Sequence, residues 1–168
     1  PVRPALGASL GEILGVIAHE LGHIKGGHLV RARGAMEAAS YESMLGTLLG
    51  LGAAVLTGEG AVASAIVAGS RSTAYNRLLA FSRVQESSAD QSALAALEGA
   101  GMSPDGLVSF MKKLESQELL PSSQQNQYVR THPLTRDRIE ALEAGRARSP
   151  HKSVALPADW QEQHARMK

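Results

Sequence analysis

His19-Glu20-Leu21-Gly22-His23 sets two imidazoles four residues apart, with a carboxylate directly after the first. On a helix such positions share a face, so both rings point to the same side. Neutral imidazole nitrogens bind zinc at about 2.0–2.1 Å, and a catalytic zinc site takes three protein ligands and keeps one position for water. Glu20 then stands beside that water, able to take its proton and return it to the leaving amine. Six histidines and twelve glutamates in 168 residues would generate such a pentapeptide by chance only about 0.015 times. Coincidence therefore competes weakly. The bland alternative is a pair of polar histidines on an amphipathic helix.

A third ligand must come from elsewhere. His28 falls one residue short of the last histidine in the longer pattern H-E-x-x-H-x-x-G-x-x-H, where this chain has Leu29. It reads as a polar residue closing the first helix. A carboxylate on a separate element is the better candidate, and Glu86-Ser87-Ser88-Ala89-Asp90 offers one on a long helix. If Glu86 reaches the metal, Asp90 faces the same side and can accept the free N–H of a ligand histidine. The competing reading is a solvated acidic helix face.

These residues, together with Arg83-Val84-Gln85-Glu86-Ser87-Ser88-Ala89-Asp90 and Thr131-His132-Pro133-Leu134-Thr135-Arg136-Asp137-Arg138-Ile139, resemble the prenyl-protease and heat-shock-protease family of gluzincin metallopeptidases. The likeness runs over roughly residues 10 to 142, and is strongest to bacterial periplasmic members with a C-terminal helical repeat domain. It implies that Glu86 is the third zinc ligand, partnered by Asp90. It also implies that His132 and Arg138 stabilise the transition-state oxygen, with His132 able in some members to cap the zinc instead. Fixed donors around a developing oxyanion are what such a step needs. The resemblance further implies a strand-bearing segment ahead of the first helix, whose edge takes substrate by strand addition. Only nine residues precede that helix here, so this segment is expected to be largely missing.

The elements that position these groups are legible from punctuation and period. Ser9-Leu10-Gly11-Glu12 reads as a capping box. Leu10, Ile13, Leu14, Ile17 and Leu21 then repeat at helical spacing up to Gly26-Gly27, which predicts a helix over about 10–25. A second long helix is expected over Tyr75–Ala100, ended by Gly99-Ala100-Gly101. A third starts at Ser103-Pro104 and reaches about Glu118, and a fourth runs from Thr135 to Ala144 with Gly145 as a left-handed cap. Pro121 to Val129 reads as a loop. Residues 149–157 read as extended, leading into a helical pattern over 158–168.

Residues 44–69 are almost uncharged, with Glu59 alone inside Thr57-Gly58-Glu59-Gly60. A membrane helix needs about 20 consecutive apolar residues, and the glycine break divides this run into shorter pieces. Two buried or interfacial helices are the favoured reading, with peripheral membrane contact as the alternative.

Seventeen basic against sixteen acidic residues create no strong field, which gives no ground for a nucleic-acid partner. The absence of cysteine excludes disulfides and thiolate zinc sites. The chain begins at Pro1 without a basic and then apolar leader, so it reads as part of a longer protein. The expected fold is mainly α, a gluzincin-type helical core with little or no sheet. Residues 1–148 form the metallopeptidase core, and 149–168 form a linker and the start of a helix toward a further C-terminal domain. The expected function is zinc-dependent endopeptidase cleavage by zinc-activated water. Its substrates would be misfolded or misassembled envelope proteins in the bacterial periplasm, a setting implied by the resemblance. A zinc-binding holdase without turnover is the rival.

Overall fold

The computed structural model describes residues 8–118, 120–121, 124–125 and 127–167. Among the described residues every regular element is a helix and no strand occurs, so the fold is mainly α. The chain divides into two units, one running through Gly26 and resuming at Glu86, the other Gly27–Gln85.

In the first unit the capping box is formed as expected. Ser9 N–H donates to Glu12 Oε2 at 2.8 Å and Glu12 N–H donates to Ser9 Oγ at 3.2 Å, an arrangement worth about 1 kcal/mol to a helix start. The Glu12 carboxylate is also buried against Ser109 and Lys113, at 2.7 and 2.6 Å. This ties the start of α1 (Leu10–Gly26) to α4 (Asp105–Glu118). Burial works against the charge on Glu12, but Lys113, Ser109 and the Ser9 amide hold its pKa below the usual carboxylate range. The two helices cross almost backbone to backbone. A Cβ on Gly15 would stand 2.7 Å from the Leu107 backbone, and one on Gly106 only 2.1 Å from the Gly11 carbonyl.

Around this crossing lie Ala18, Ala93, Leu97, Leu107, Met111 and Leu142, joined by Val129, Leu134 and Ile139. Each large member stabilises the unit by roughly 1.5–3 kcal/mol through removal from water. The last stretch of α3 (Gly60–Gly99) ends in a Schellman turn, with Gly101 at φ 67°. Gly101 N–H donates to the Glu98 carbonyl at 2.9 Å and Met102 N–H to the Leu97 carbonyl at 2.8 Å. Ser103 then caps α4, its Oγ accepting from Asp105 N–H at 3.2 Å.

Two expectations in this unit are corrected. Gln127–Thr131 forms a short helix, α5, where a loop was expected; residues 122, 123 and 126 of that segment lie outside the described residues. Gly145 does not cap α6, which runs through it over Arg136–Arg148. That glycine serves close approach instead, since a Cβ there would meet Leu94 Cδ1 at 2.4 Å. Beyond α6 a turn leads to α7 (Ala158–Arg166), which packs on α1.

The second unit is an antiparallel hairpin of α2 (His28–Thr57) and the first part of α3, turning at Gly58 with φ 72°. Arg77 and Glu42 pair across it at 2.5 Å. Both helices are longer than their periodicity suggested, because no proline interrupts 28–57 or 60–85. The break at Gly58-Glu59-Gly60 holds, but the apolar stretch is not buried: Val55 is 85% exposed and Leu56 88%. By length and composition α2 is apolar enough to cross a membrane, which the expectation of shorter pieces did not anticipate.

Candidate metal centre

His19, Glu20 and His23 come from α1, one helical turn placing both imidazoles on one side. Gly22 faces α3 so closely that a Cβ would sit 2.7 Å from the Ala89 carbonyl oxygen. That contact sets Glu86 and Asp90, one turn apart on α3, directly opposite the histidines. Sequence spacing therefore produces half the site within one helix, and a glycine contact delivers the other half.

The donors converge. His19 Nε2 and His23 Nε2 are 3.0 Å apart, Glu86 Oε2 is 3.4 Å from the first, and Glu86 Oε1 is 3.4 Å from the second. A tetrahedral ion with bonds of about 2.0–2.1 Å spaces its ligands roughly 3.3 Å apart, so this donor set fits zinc. His19 is wholly buried, and its Nδ1 lies 2.9 Å from Asp90 Oδ1. A proton held at Nδ1 leaves Nε2 free to ligate. Burial opposes charge on His19, but Asp90 and Glu86 outweigh it and hold its pKa up at about 9. Burial likewise opposes the Glu86 charge, yet His132, His19, His23 and Arg138 keep its pKa far below the carboxylate range.

His132 follows the short helix α5, which turns its ring inward. Its Nδ1 is 3.2 and 3.3 Å from the two Glu86 oxygens, and its Nε2 is 3.6 Å from Glu20 Oε1. With His19, His23 and Glu86 it completes a cluster whose four donor atoms all lie within 4.8 Å of one another. The Glu20 side chain, 44% exposed, is the open edge of this cluster. His28 does not belong to it; Gly27 ends α1 at φ 61° and His28 opens α2.

Arg138 is placed differently from its expected role beside the substrate oxygen. Its side chain is buried in the first unit, with Nε and Nη2 donating to Asp90 Oδ2 and Oδ1 at 2.7 and 2.9 Å. Nη1 donates to the Pro133 carbonyl at 2.8 Å and lies 3.0 Å from Glu86 Oε2. The guanidinium is spent on holding the two carboxylates of α3.

Tyr128 joins the site without any motif that marks it in the sequence. Its ring stacks on His132 with centroids 4.5 Å apart and planes 24° from parallel. Burial, with the Glu20 and Glu86 carboxylates beside it, pushes the phenol well above its usual pKa, so it remains a proton donor. The only signal was helical: Tyr128 precedes His132 by four residues, but the segment did not read as a helix.

Residues 6–146 match Peptidase family M48. Among curated proteins the chain is similar to the β-barrel assembly-enhancing protease of Yersinia pestis, 27% identical over 146 residues, 86% of this chain and 29% of that protein. A putative β-barrel assembly-enhancing protease of Vibrio cholerae is 29% identical over 159 residues, 93% of this chain and 32% of the relative. The Escherichia coli (strain K12) protein of the same name is 25% identical over 128 residues, 76% and 26% respectively. The chain thus spans about a third or less of the length of these relatives. No solved structure gives a significant match.

Proposed function

Because the chain belongs to Peptidase family M48, we propose that it is the catalytic core of a zinc-dependent endopeptidase. The observation that carries this reading is the convergence of His19 Nε2, His23 Nε2 and Glu86 at tetrahedral spacing, with Asp90 on His19 Nδ1. His19, His23 and Glu86 would hold the metal. A bound zinc ion supplies Lewis acidity, lowering the pKa of water and polarising a carbonyl.

The remaining chemistry belongs to the side chains. Glu20, at the open edge, takes a proton from the attacking water and gives it to the departing amine. His132, and the Tyr128 phenol beside Glu20, would donate to the negative charge that develops on the carbonyl oxygen. Arg138 acts as a positioning residue, fixing Glu86 and Asp90 by charge-assisted hydrogen bonds. Residues 1–148 form this core in our reading, and 149–168 lead toward a further domain. The relatives are named for β-barrel assembly, and together with the family resemblance this supports misassembled envelope proteins, met on the periplasmic side, as the substrates in this reading.

The test uses the full-length protein and an unfolded outer-membrane β-barrel polypeptide. Cleavage should require zinc, and Glu20→Gln should lower it by at least a thousandfold while keeping the metal, since an amide cannot accept the proton. Cleavage within tenfold of the parent would remove Glu20 as the base, and zinc-dependent binding without any cleavage by the parent would favour a holdase.

A further inference from the structure

The α2–α3 hairpin distributes its side chains in an unusual way for a protein surrounded only by water. On α2, Tyr41, Met44, Leu45, Leu48, Leu51 and Val55 recur at helical spacing along one side, and each is more than half exposed. The opposite side of α2 carries Gly46 and Gly50, where α3 comes close. A Cβ on Gly46 would collide with the Ser70 side chain at 2.0 Å, and one on Gly50 with the Ala63 carbonyl oxygen at 2.9 Å. The helix pair is thus joined through small residues, and the large apolar ones are turned outward. Soluble hairpins do the reverse, while helices in lipid pack through small residues because leucine gains nothing by leaving a hydrocarbon surround. The outer side of α3 differs from that of α2: beside the stripe it exposes the small residues Ser64, Ala65, Ala68 and Gly69, and further along Arg71, Tyr75 and Val84. The continuous exposed apolar stripe of the hairpin is therefore the one on α2.

Charge identifies what covers that face and how. Within 27–85 there are five arginines and three glutamates, with Arg31 and Arg33 just ahead of the apolar stripe. This balance suits anionic headgroups, to which each nearby basic residue adds about 1 kcal/mol. Glu59 sits in the turn and Arg71 is exposed on α3. End-on insertion would carry both into hydrocarbon at a cost of about 2.5–3.5 kcal/mol for each. Lying flat avoids this: the stripe from residue 41 to 55 is roughly 22 Å long, and the charges stay at headgroup level. Tyr41, with an apolar ring and a polar tip, suits that depth. Apart from its hydroxyl the stripe offers no directional polar group for a protein partner to read. We propose that the outer face of α2 docks along the surface of an anionic lipid bilayer, seated in its interfacial layer. This reading is independent of the peptidase assignment.

The experiment is flotation of the full-length protein with vesicles of phosphatidylglycerol and phosphatidylethanolamine, and with phosphatidylcholine alone. The protein should float with the anionic vesicles, at least tenfold more weakly with the neutral ones, and Leu45→Glu/Leu48→Glu should lose binding while retaining helicity. In a Trp160→Phe background, Leu48→Trp should shift its emission to the blue on the anionic vesicles and be quenched by brominated acyl chains. Flotation unchanged in the double variant, or indole emission that stays unshifted in the Leu48→Trp variant, overturns the proposal. Two other results overturn it by naming a different cover. One is a lipid-free dimer that Leu48→Glu dissociates. The other is a Leu48→Cys thiol protected from maleimide in the monomeric full chain.

Discussion

Arg138 holds Asp90 along one edge of its guanidinium, Nε to Oδ2 at 2.7 Å and Nη2 to Oδ1 at 2.9 Å, while Asp90 Oδ1 also lies 2.9 Å from His19 Nδ1. A positive charge on α6 therefore reaches the proposed metal ligand on α1 through one carboxylate on α3. Removing either partner strands a buried charge, at about 3–5 kcal/mol. Arg138→Gln and Asp90→Asn should each lower the melting temperature and weaken zinc about 10–100-fold. The double variant should cost clearly less than the two losses combined. Additive losses in a metal titration and thermal melts would show that the pair does not act as a unit.

The contact between Gly22 and Ala89 gives a second prediction. A methyl group at position 22 would press on the Ala89 carbonyl oxygen at 2.7 Å, and backbone cannot rotate away as a side chain can. Gly22→Ala, although it favours helix by nearly 1 kcal/mol, should push α1 from α3 and loosen zinc at least tenfold. Unchanged affinity by competition with a chelator would mean that the helices absorb the methyl group.

Much of this site was legible because its parts lie within single helices. The pairs His19/His23 and Glu86/Asp90 follow from four-residue spacing, and the Ser9–Glu12 box fixes where α1 begins. What spacing could not supply is contact between elements. Arg138 carried the right charge, but that it faces Asp90 and Glu86 depends on how α6 docks on α3. Tyr128 was missed because α5 is only five residues long and has too little periodicity to be seen. For residues 44–69, where buried or interfacial helices were both open, the exposure of Val55 and Leu56 removes only the buried option: an apolar pattern gives a face, and does not say what covers it.

In metal-free protein His19 has a pKa raised from 6.5 to about 9. A raised value means that its contribution to stability is complete below pH 6.5 and is lost as the pH climbs through 9. Zinc must displace that proton, so the two effects oppose each other. Zinc affinity should rise about tenfold per pH unit up to about 9 and then level off. Calorimetry in buffers of different ionisation enthalpy should find about one proton released per zinc bound. Glu86→Ala should abolish stoichiometric binding, and full zinc content in that variant would place the third ligand elsewhere.

His132 occupies a position with two uses. Its Nδ1 is 3.2 Å from Glu86 Oε1, and the residue belongs to the four-donor cluster, so in this pose it stands where a fourth ligand would. Its Nε2 is 3.6 Å from Glu20, the proposed general base, and from there it would donate to a developing oxyanion. The ring is held by stacking on Tyr128 and by the turn of α5, in which His132 N–H donates to the Tyr128 carbonyl at 2.8 Å. With His19, His23 and Glu86 as the proposed zinc ligands, His132→Ala should leave affinity within about tenfold. It should nevertheless change kcat at least tenfold, upward if the capped pose dominates at rest and downward if donation to the oxyanion limits the rate. Tyr128→Phe separates these cases. It keeps the stacked ring and removes only the hydroxyl, so a fall in kcat of about a hundredfold with KM and zinc unchanged would assign the phenol to the transition state. Parent-like kinetics in both variants of the full-length enzyme would leave neither residue a part in the reaction.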